Sequence, residues 1–168
     1  MKIRIRSETS ADLQAIEAVT AAAFRDALHT SHTEHFIVNA LREAGKLTVS
    51  MVAQEIAEIV GHVAVSPVTI SDGSDDWFGL GPVSVSPERQ RQGIGSRLME
   101  QALAELRKQG ASGCVVLGYP QFYSRFGFKV DPDLVLPDMP PEYFLAVSFG
   151  TKSAAGTVSY HEAFNAVK

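Results

Sequence analysis

Apolar and polar residues alternate in the opening run KIRIR, then switch to helical spacing in SADLQAIEAVTAAAF, where Leu13, Ile16, Val19 and Ala23 recur on one side. The first run reads as a strand and the second as a helix with Ser10 or Asp12 available as its cap. A second helix is expected over SHTEHFIVNALREAG, with Phe36, Ile37, Ala40 and Leu41 as its apolar stripe and Gly45 as its stop. Two β-rich runs follow, LTVSMVAQ and EIVGHVAVSPVTI, and the short polar link between them predicts an antiparallel hairpin. WFGLGPVSVS reads as a further strand, broken near Gly81-Pro82.

The pattern then returns to helical period. Ile94, Leu98, Ala102 and Leu106, flanked by Met99 and Leu103, form a buried stripe that Gly110 ends. GCVVLG is too short and too apolar to be solvated, so it is expected as a buried strand. After YPQFYSRFGF come two late β segments, around YFLAVSF and GTVSYHEAF. The domain class is therefore α/β with mixed strands, and the strand–turn–helix–strand run from Trp77 to Leu117 predicts one parallel pair. No repeat, low-complexity tract or linker interrupts the chain, and its 168 residues read as a single domain, 1–168. YFLAVSF is open to two readings, the edge of a homodimer or the completion of the monomer's own core.

Composition narrows the class. An apolar fraction of 45% with 20% charged residues is that of a soluble globular protein. The start, MKIRIRSETS, alternates charge with isoleucine like a strand and unlike a signal peptide. No apolar run approaches the roughly 18 residues of a membrane span. The lone cysteine, Cys114, excludes an intrachain disulfide framework and fits a reducing cytoplasm. A formal net charge of −4 speaks against nucleic acid as the main partner, since phosphate binding needs a concentrated basic face. An acidic surface suits amines better than polyanions.

Within this acidic chain, RQRQGIGSRL (Arg89 to Leu98) sets arginines and glutamines around a Gly-x-Gly that opens a helix. Free N–H groups and the helix dipole make such a turn a seat for an anion, and missing Cβ atoms let a phosphate approach the main chain. A dinucleotide fingerprint would need glycine where Leu98 stands, and a Walker A loop would need a following Gly-Lys-Ser/Thr that does not occur. Gln90 to Gly95 instead fits Gln/Arg-x-x-Gly-x-Gly/Ala, preceded by Val85-x-Pro87. This resembles the pyrophosphate-binding motif of the GCN5-related N-acetyltransferase (GNAT) superfamily. FYSRFGF, Phe122 to Phe128, resembles the same superfamily's aromatic-Tyr-x-x-x-Gly-Phe segment. Across nearly the whole chain, the opening helix, LGPVSV, VVLGYPQFYSRFGF and GTVSYHEAF are similar to the YhbS-like branch of predicted N-acetyltransferases.

The resemblance implies the acyl-CoA N-acyltransferase fold, a mostly antiparallel sheet flanked by helices and splayed between its fourth and fifth strands, with acetyl-CoA in the gap. It places Val83, Ser84 and Val85 along the pantetheine arm and the amides of Arg91, Gln92, Gly93, Ile94, Gly95 and Ser96 around the pyrophosphate. Arg89 and Arg91 would add charge at the rim. Many relatives carry a cofactor-touching Asn where this chain has Val116, so no such contact is expected. Tyr123 matches the superfamily's general acid, and a phenol with a reference pKa near roughly 10 is protonated at neutral pH. A main-chain N–H at Val85 is the expected oxyanion donor.

The base is left open among Glu34, Glu55, His62 and a water chain, with His62 read first as a packing histidine. His29, His32 and His35 recur every third residue, but a polar turn supplies no fixed ligand geometry, so no metal is expected. Their loop is expected to border the acceptor pocket, where Glu34 would hold a substrate ammonium; the alternative is a solvated carboxylate at a helix start. Arg125 reads first as a surface arginine, the alternative being a cofactor or substrate contact; Cys114 reads as inert core, and Asp72, Asp75 and Asp76 as a loop without EF-hand spacing. The resulting expectation is an acetyl-CoA-dependent N-acetyltransferase acting on a primary amine of a small molecule or peptide. The competing class is a non-catalytic acyl-CoA-binding sensor.

Overall fold

In a computed structural model, which describes residues 2–27 and 30–168, strands β1 (Ile3–Ser7), β2 (Val49–Glu55), β3 (Glu58–Ile70) and β4 (Trp77–Val85) form an antiparallel succession. Helices α1 (Leu13–Phe24) and α2 (Glu34–Glu43) connect β1 to β2. From β4 the chain passes through α3 (Ile94–Lys108) to β5 (Gly113–Leu117), which lies parallel to β4. A one-turn helix α4 (Pro120–Tyr123) precedes β6 (Lys129–Val130), β7 (Leu134–Val135), β8 (Phe144–Ser148) and β9 (Gly156–Tyr160). The main sheet runs β1-β2-β3-β4-β5-β8-β6, while β9 bridges β7 and the far end of β3.

The sheet opens where expected. β4 pairs with β5 over Trp77–Gly79 alone, opposite Gly113–Val115, and then continues to Val85 beyond the end of that ladder. The expected break at Gly81-Pro82 is a bulge rather than an interruption. Val83 faces Val63 and Leu80 faces Val65, so Gly81 and Pro82 together oppose Ala64.

Burial separates the two faces. α3 seats Ile94, Leu98, Met99, Ala102, Leu103 and Leu106 against Val63, Val65, Leu80 and Val116. On the other face Ile16 of α1 and Val38 of α2 meet Val52 and Ala64. Two stripe assignments shift. Leu13 is 36% exposed, and in α2 the buried residues are Ile37, Val38 and Leu41 while Phe36 is only half-buried. Asp12 does not cap α1 forward. Its carboxylate reaches back to the Thr9 N–H at 2.7 Å and accepts from Nη1 and Nη2 of Arg6 at 2.7 and 3.0 Å. Those bonds, the one from Arg6 foremost, hold the Asp12 carboxyl well below the usual carboxylate range.

YFLAVSF becomes β8, between β5 and β6, and so completes this chain's own sheet. GTVSYHEAF ends as a strand at Tyr160 and closes in a 3₁₀ turn over Glu162–Asn165. Among the described residues no helix is long and apolar enough to cross a membrane.

Candidate active site

At the end of β4 the chain makes a 3₁₀ turn over Pro87–Arg89 and enters α3 through two left-handed residues, Arg91 at φ 65° and Gly93 at φ 85°. Glycine adopts that conformation freely, whereas the arginine is strained there, and such strain clusters at ligand sites. Gly93 is the N-cap, with its carbonyl accepting from Arg97 N–H at 3.1 Å. The first-turn N–H groups of Ile94, Gly95 and Ser96 therefore have no intrahelical acceptor. They line a groove of about 600 Å³ together with Arg91, Gly93, Val83 and Val85.

The opened strand supplies the groove's floor. Ser86 N–H donates to Val60 C=O at 2.8 Å, so its amide points toward β3. By the two-residue period of an extended strand, the N–H groups of Val85 and Val83 face away from β3, toward the splay. The Val85 carbonyl, on that same side, takes Gln90 Nε2 at 3.1 Å. Ser84 is not among the lining residues: by the same period its amide faces β3, and its side chain is buried on the α1–α2 face opposite His62. Gln92 is not among the lining residues; its amide leans toward Glu88 C=O at 3.5 Å.

Across the groove stand Phe122 and Tyr123. The Tyr119 carbonyl accepts the N–H groups of both Phe122 and Tyr123, which fixes the one-turn helix that presents them. The Tyr123 ring packs edge-on against Phe122, 5.0 Å between centroids, and against Phe128 at 6.1 Å. Burial raises the phenol's pKa above its ordinary value, so it is protonated at neutral pH. Ala23, Phe24 and Ala27 close the groove from the end of α1, a contribution the sequence reading missed.

Gly118 is a second missed residue. A Cβ there would stand 2.3 Å from Tyr123 Cε2, so glycine is what lets the ring lie against the end of β5. Gly118→Ala is expected to displace the phenol, lowering turnover at least tenfold while acetyl-CoA affinity falls less than threefold. Thiol release and calorimetry on the variant check that split.

The remaining candidates separate. Glu55 is taken by Arg89 at 2.7 and 2.9 Å, which neutralises the rim arginine and removes the carboxylate from the groove's lining. Arg125 is exposed, as its reading as a surface residue expects, and it also borders the groove, its guanidinium 4.7 Å from the Phe122 ring centroid. Glu34 sits in an adjoining hollow of about 370 Å³ with Ala18, Ala21 and Ala22, and Phe24 lines both spaces. Thr30 donates to Glu34 Oε2, while Oε1 is buried without a partner among the described residues. His29 lies outside the described residues, and among these no group of three or more His, Cys, Asp or Glu could hold a metal. Cys114 is fully buried, and desolvation pushes its thiol far above the ordinary range. Asp72 accepts Ala155 N–H at 2.9 Å and Ser74 N–H at 2.8 Å, which ties its loop.

Free amides at a helix start, a strand running on beyond its ladder with β5, and a phenol thus share one groove. Residues 4–130, which include all three, match the acetyltransferase (GNAT) domain. The chain belongs to the GNAT acetyltransferase family. It is 32% identical over 176 residues to the uncharacterized N-acetyltransferase YhbS of Escherichia coli K12, covering 96% of this chain and 98% of that one. A GNAT acetyltransferase of Brucella melitensis, solved with acetyl-CoA, is 45% identical and superposes with a TM-score of 0.87, covering 97% of this chain and 98% of that one. Escherichia coli YhbS, solved with CoA, also gives a TM-score of 0.87, at 32% identity over 98% of this chain and 93% of that one. In this GNAT chain the matched span ends with β6, so β7 to β9 lie beyond it.

Proposed function

We propose that this protein, working in the cytoplasm as one unit over residues 1–168, transfers the acetyl group of acetyl-CoA to a primary amine by direct attack in a ternary complex. The observation that carries this reading is the shared groove: free α3 amides at one end, Tyr123 at the other, and the unpaired edge of β4 between them. Two similar proteins of this family were solved with acetyl-CoA or CoA bound, which supports the same donor here. The residues suit it. Amides from Arg91 to Ser96 would hold the pyrophosphate, with Arg91 and Arg125 supplying charge beside them. Val83 and Val85 would pair with the pantetheine arm as a neighbouring strand would.

Chemistry follows from what these groups can donate. Val85 N–H, turned toward the splay, would stabilise the oxyanion as the amine attacks the acetyl carbon. Tyr123 O–H would protonate the sulfur as the C–S bond breaks. Glu34 would hold an ammonium group of the acceptor, since its buried Oε1 lacks a partner among the described residues.

Calorimetry with acetyl-CoA should give a saturable signal. A thiol-release assay over polyamines, amino acids, aminoglycosides and peptide N-termini should then find at least one amine that stimulates CoA release. No calorimetric signal would overturn the donor assignment; binding without amine-stimulated release would make the protein a sensor.

A further inference from the structure

Among the described residues three arginines line the groove and no acidic side chain does. The three are not equivalent. Arg89 is neutralised by Glu55 at 2.7 Å. Arg91 belongs to the left-handed turn that leads into α3, two residues before the N-cap Gly93, so its charge stands with the amides of that turn. Arg125 comes from the opposite wall, in the 3₁₀ turn over Ser124–Phe126 that follows α4.

That turn holds the Arg125 side chain without neutralising it. Nε donates to the Phe122 carbonyl at 3.3 Å. The guanidinium carbon lies 4.7 Å from the Phe122 ring centroid and 5.7 Å from that of Phe126, and the two rings pack on each other at 5.3 Å. Side chains three and four positions apart share one side of a helical turn, which is why these three meet. Among the described residues no carboxylate pairs with Arg125, and Nη1 and Nη2 have no acceptor. A planar cation anchored at Nε and by two ring faces has lost much of its freedom before any ligand arrives. Its two free terminal nitrogens match two oxygens of a phosphate.

Phe122 relates this cation to the start of α3. A Cβ on Gly95 would lie 3.9 Å from Phe122 Cζ, so the ring touches both the first turn of α3 and the guanidinium. Arg125 therefore stands beside the free amides rather than among them. It is also exposed, at the solvent side of the groove, whereas the neighbouring Tyr123 ring turns inward onto Gly118 and Phe128.

A CoA thioester carries its negative charge in two places. Its pyrophosphate is the part that helix-start amides and Arg91 suit. Its ribose bears a 3′-phosphate, a monoester that holds a charge of about −1.5 to −2 at neutral pH. Along the cofactor this group lies past the pyrophosphate, away from the thioester that Tyr123 would face. We infer that Arg125 takes the 3′-phosphate of coenzyme A, so that the protein selects CoA thioesters over their dephospho forms. The inference rests on the acetyl-CoA reading above and adds to it a group that the α3 amides do not distinguish.

The test is calorimetric titration with acetyl-CoA and with acetyl-dephospho-CoA, which lacks only the 3′-phosphate. The wild type should bind acetyl-CoA about 10-fold to 30-fold more tightly than the dephospho form. Arg125→Gln should lose about that factor for acetyl-CoA and change less than about twofold for acetyl-dephospho-CoA, so that the preference disappears. An unchanged affinity for the dephospho form also shows that Phe122 and Phe126 still build the groove's wall. Arg91→Gln should weaken both donors by the same factor and keep the preference, as a residue of the pyrophosphate turn would. Equal wild-type affinity for the two donors overturns the inference, and that comparison needs no variant. So does an Arg125→Gln protein that keeps the preference, or one that loses the same factor with both donors, which would put the guanidinium on the pyrophosphate. A wild type that binds neither donor overturns the acetyl-CoA reading itself, and this inference with it.

Discussion

Tyr123→Phe is expected to lower turnover by about 10²–10⁴-fold while leaving acetyl-CoA affinity within about twofold. The change removes one hydroxyl and keeps the ring that packs against Phe122 and Phe128, so the groove's wall survives. What is lost is a proton donor held where a thiolate would form. Burial has already raised the phenol's pKa, which keeps it protonated at neutral pH. Thiol release under saturating acetyl-CoA measures the effect, and calorimetry verifies the affinity. Unchanged turnover would remove Tyr123 from the chemistry.

Local pattern carried much of this architecture. The stripe from Ile94 to Leu106, its Gly-x-Gly start and the apolar GCVVL run together imply a helix that returns the chain to a parallel neighbour, and β4, α3 and β5 do that. The left-handed turn that starts α3 was legible for the same reason, since its geometry lies within one turn of chain. Position along α1 was not. Whether Leu13 or Ala23 faces inward depends on how the helix crosses the sheet; the exposed Leu13 and the groove-lining Ala23 and Phe24 express that docking.

Side chains joined across long separations were the least visible. Arg89 belongs with Glu55, 34 residues earlier, so an arginine read as part of the anion seat spends its charge on a carboxylate. Glu8, Arg42, Ser50 and His62 meet only once the register of β2 and β3 is set and α2 is packed, and no spacing in the sequence announces them. His62 accordingly read as a satisfied packing residue, whereas one of its nitrogens is paired and the other has no partner among the described residues. Gly118 is hidden for a related reason. Its need to lack a side chain comes from the Tyr123 ring folding back on it, five positions later.

Gly93→Val should weaken acetyl-CoA binding by about 10-fold to 30-fold or more, against less than threefold for Arg89→Ala. At φ 85° the glycine occupies a left-handed conformation that costs an L-residue roughly 1–2 kcal/mol, and more for a β-branched one. Apart from its two chain neighbours, no described residue lies within 4 Å of a Cβ at this position, so the fold itself has room for it. The penalty is therefore conformational. The loop relaxes, the N-cap geometry that aims the amides of Ile94, Gly95 and Ser96 is lost, and binding must restore it against that strain. Since about 1.4 kcal/mol is tenfold in affinity, strain alone accounts for the lower bound, and a side chain in the path of the phosphate adds to it. Arg89 differs because its guanidinium is committed to Glu55 at 2.7 Å, and its loss removes a solvent-screened ion pair rather than a group that holds the loop in shape. Calorimetric titration of both variants with acetyl-CoA gives the order. A larger loss from Arg89→Ala would mean that side-chain charge, rather than backbone, holds the pyrophosphate.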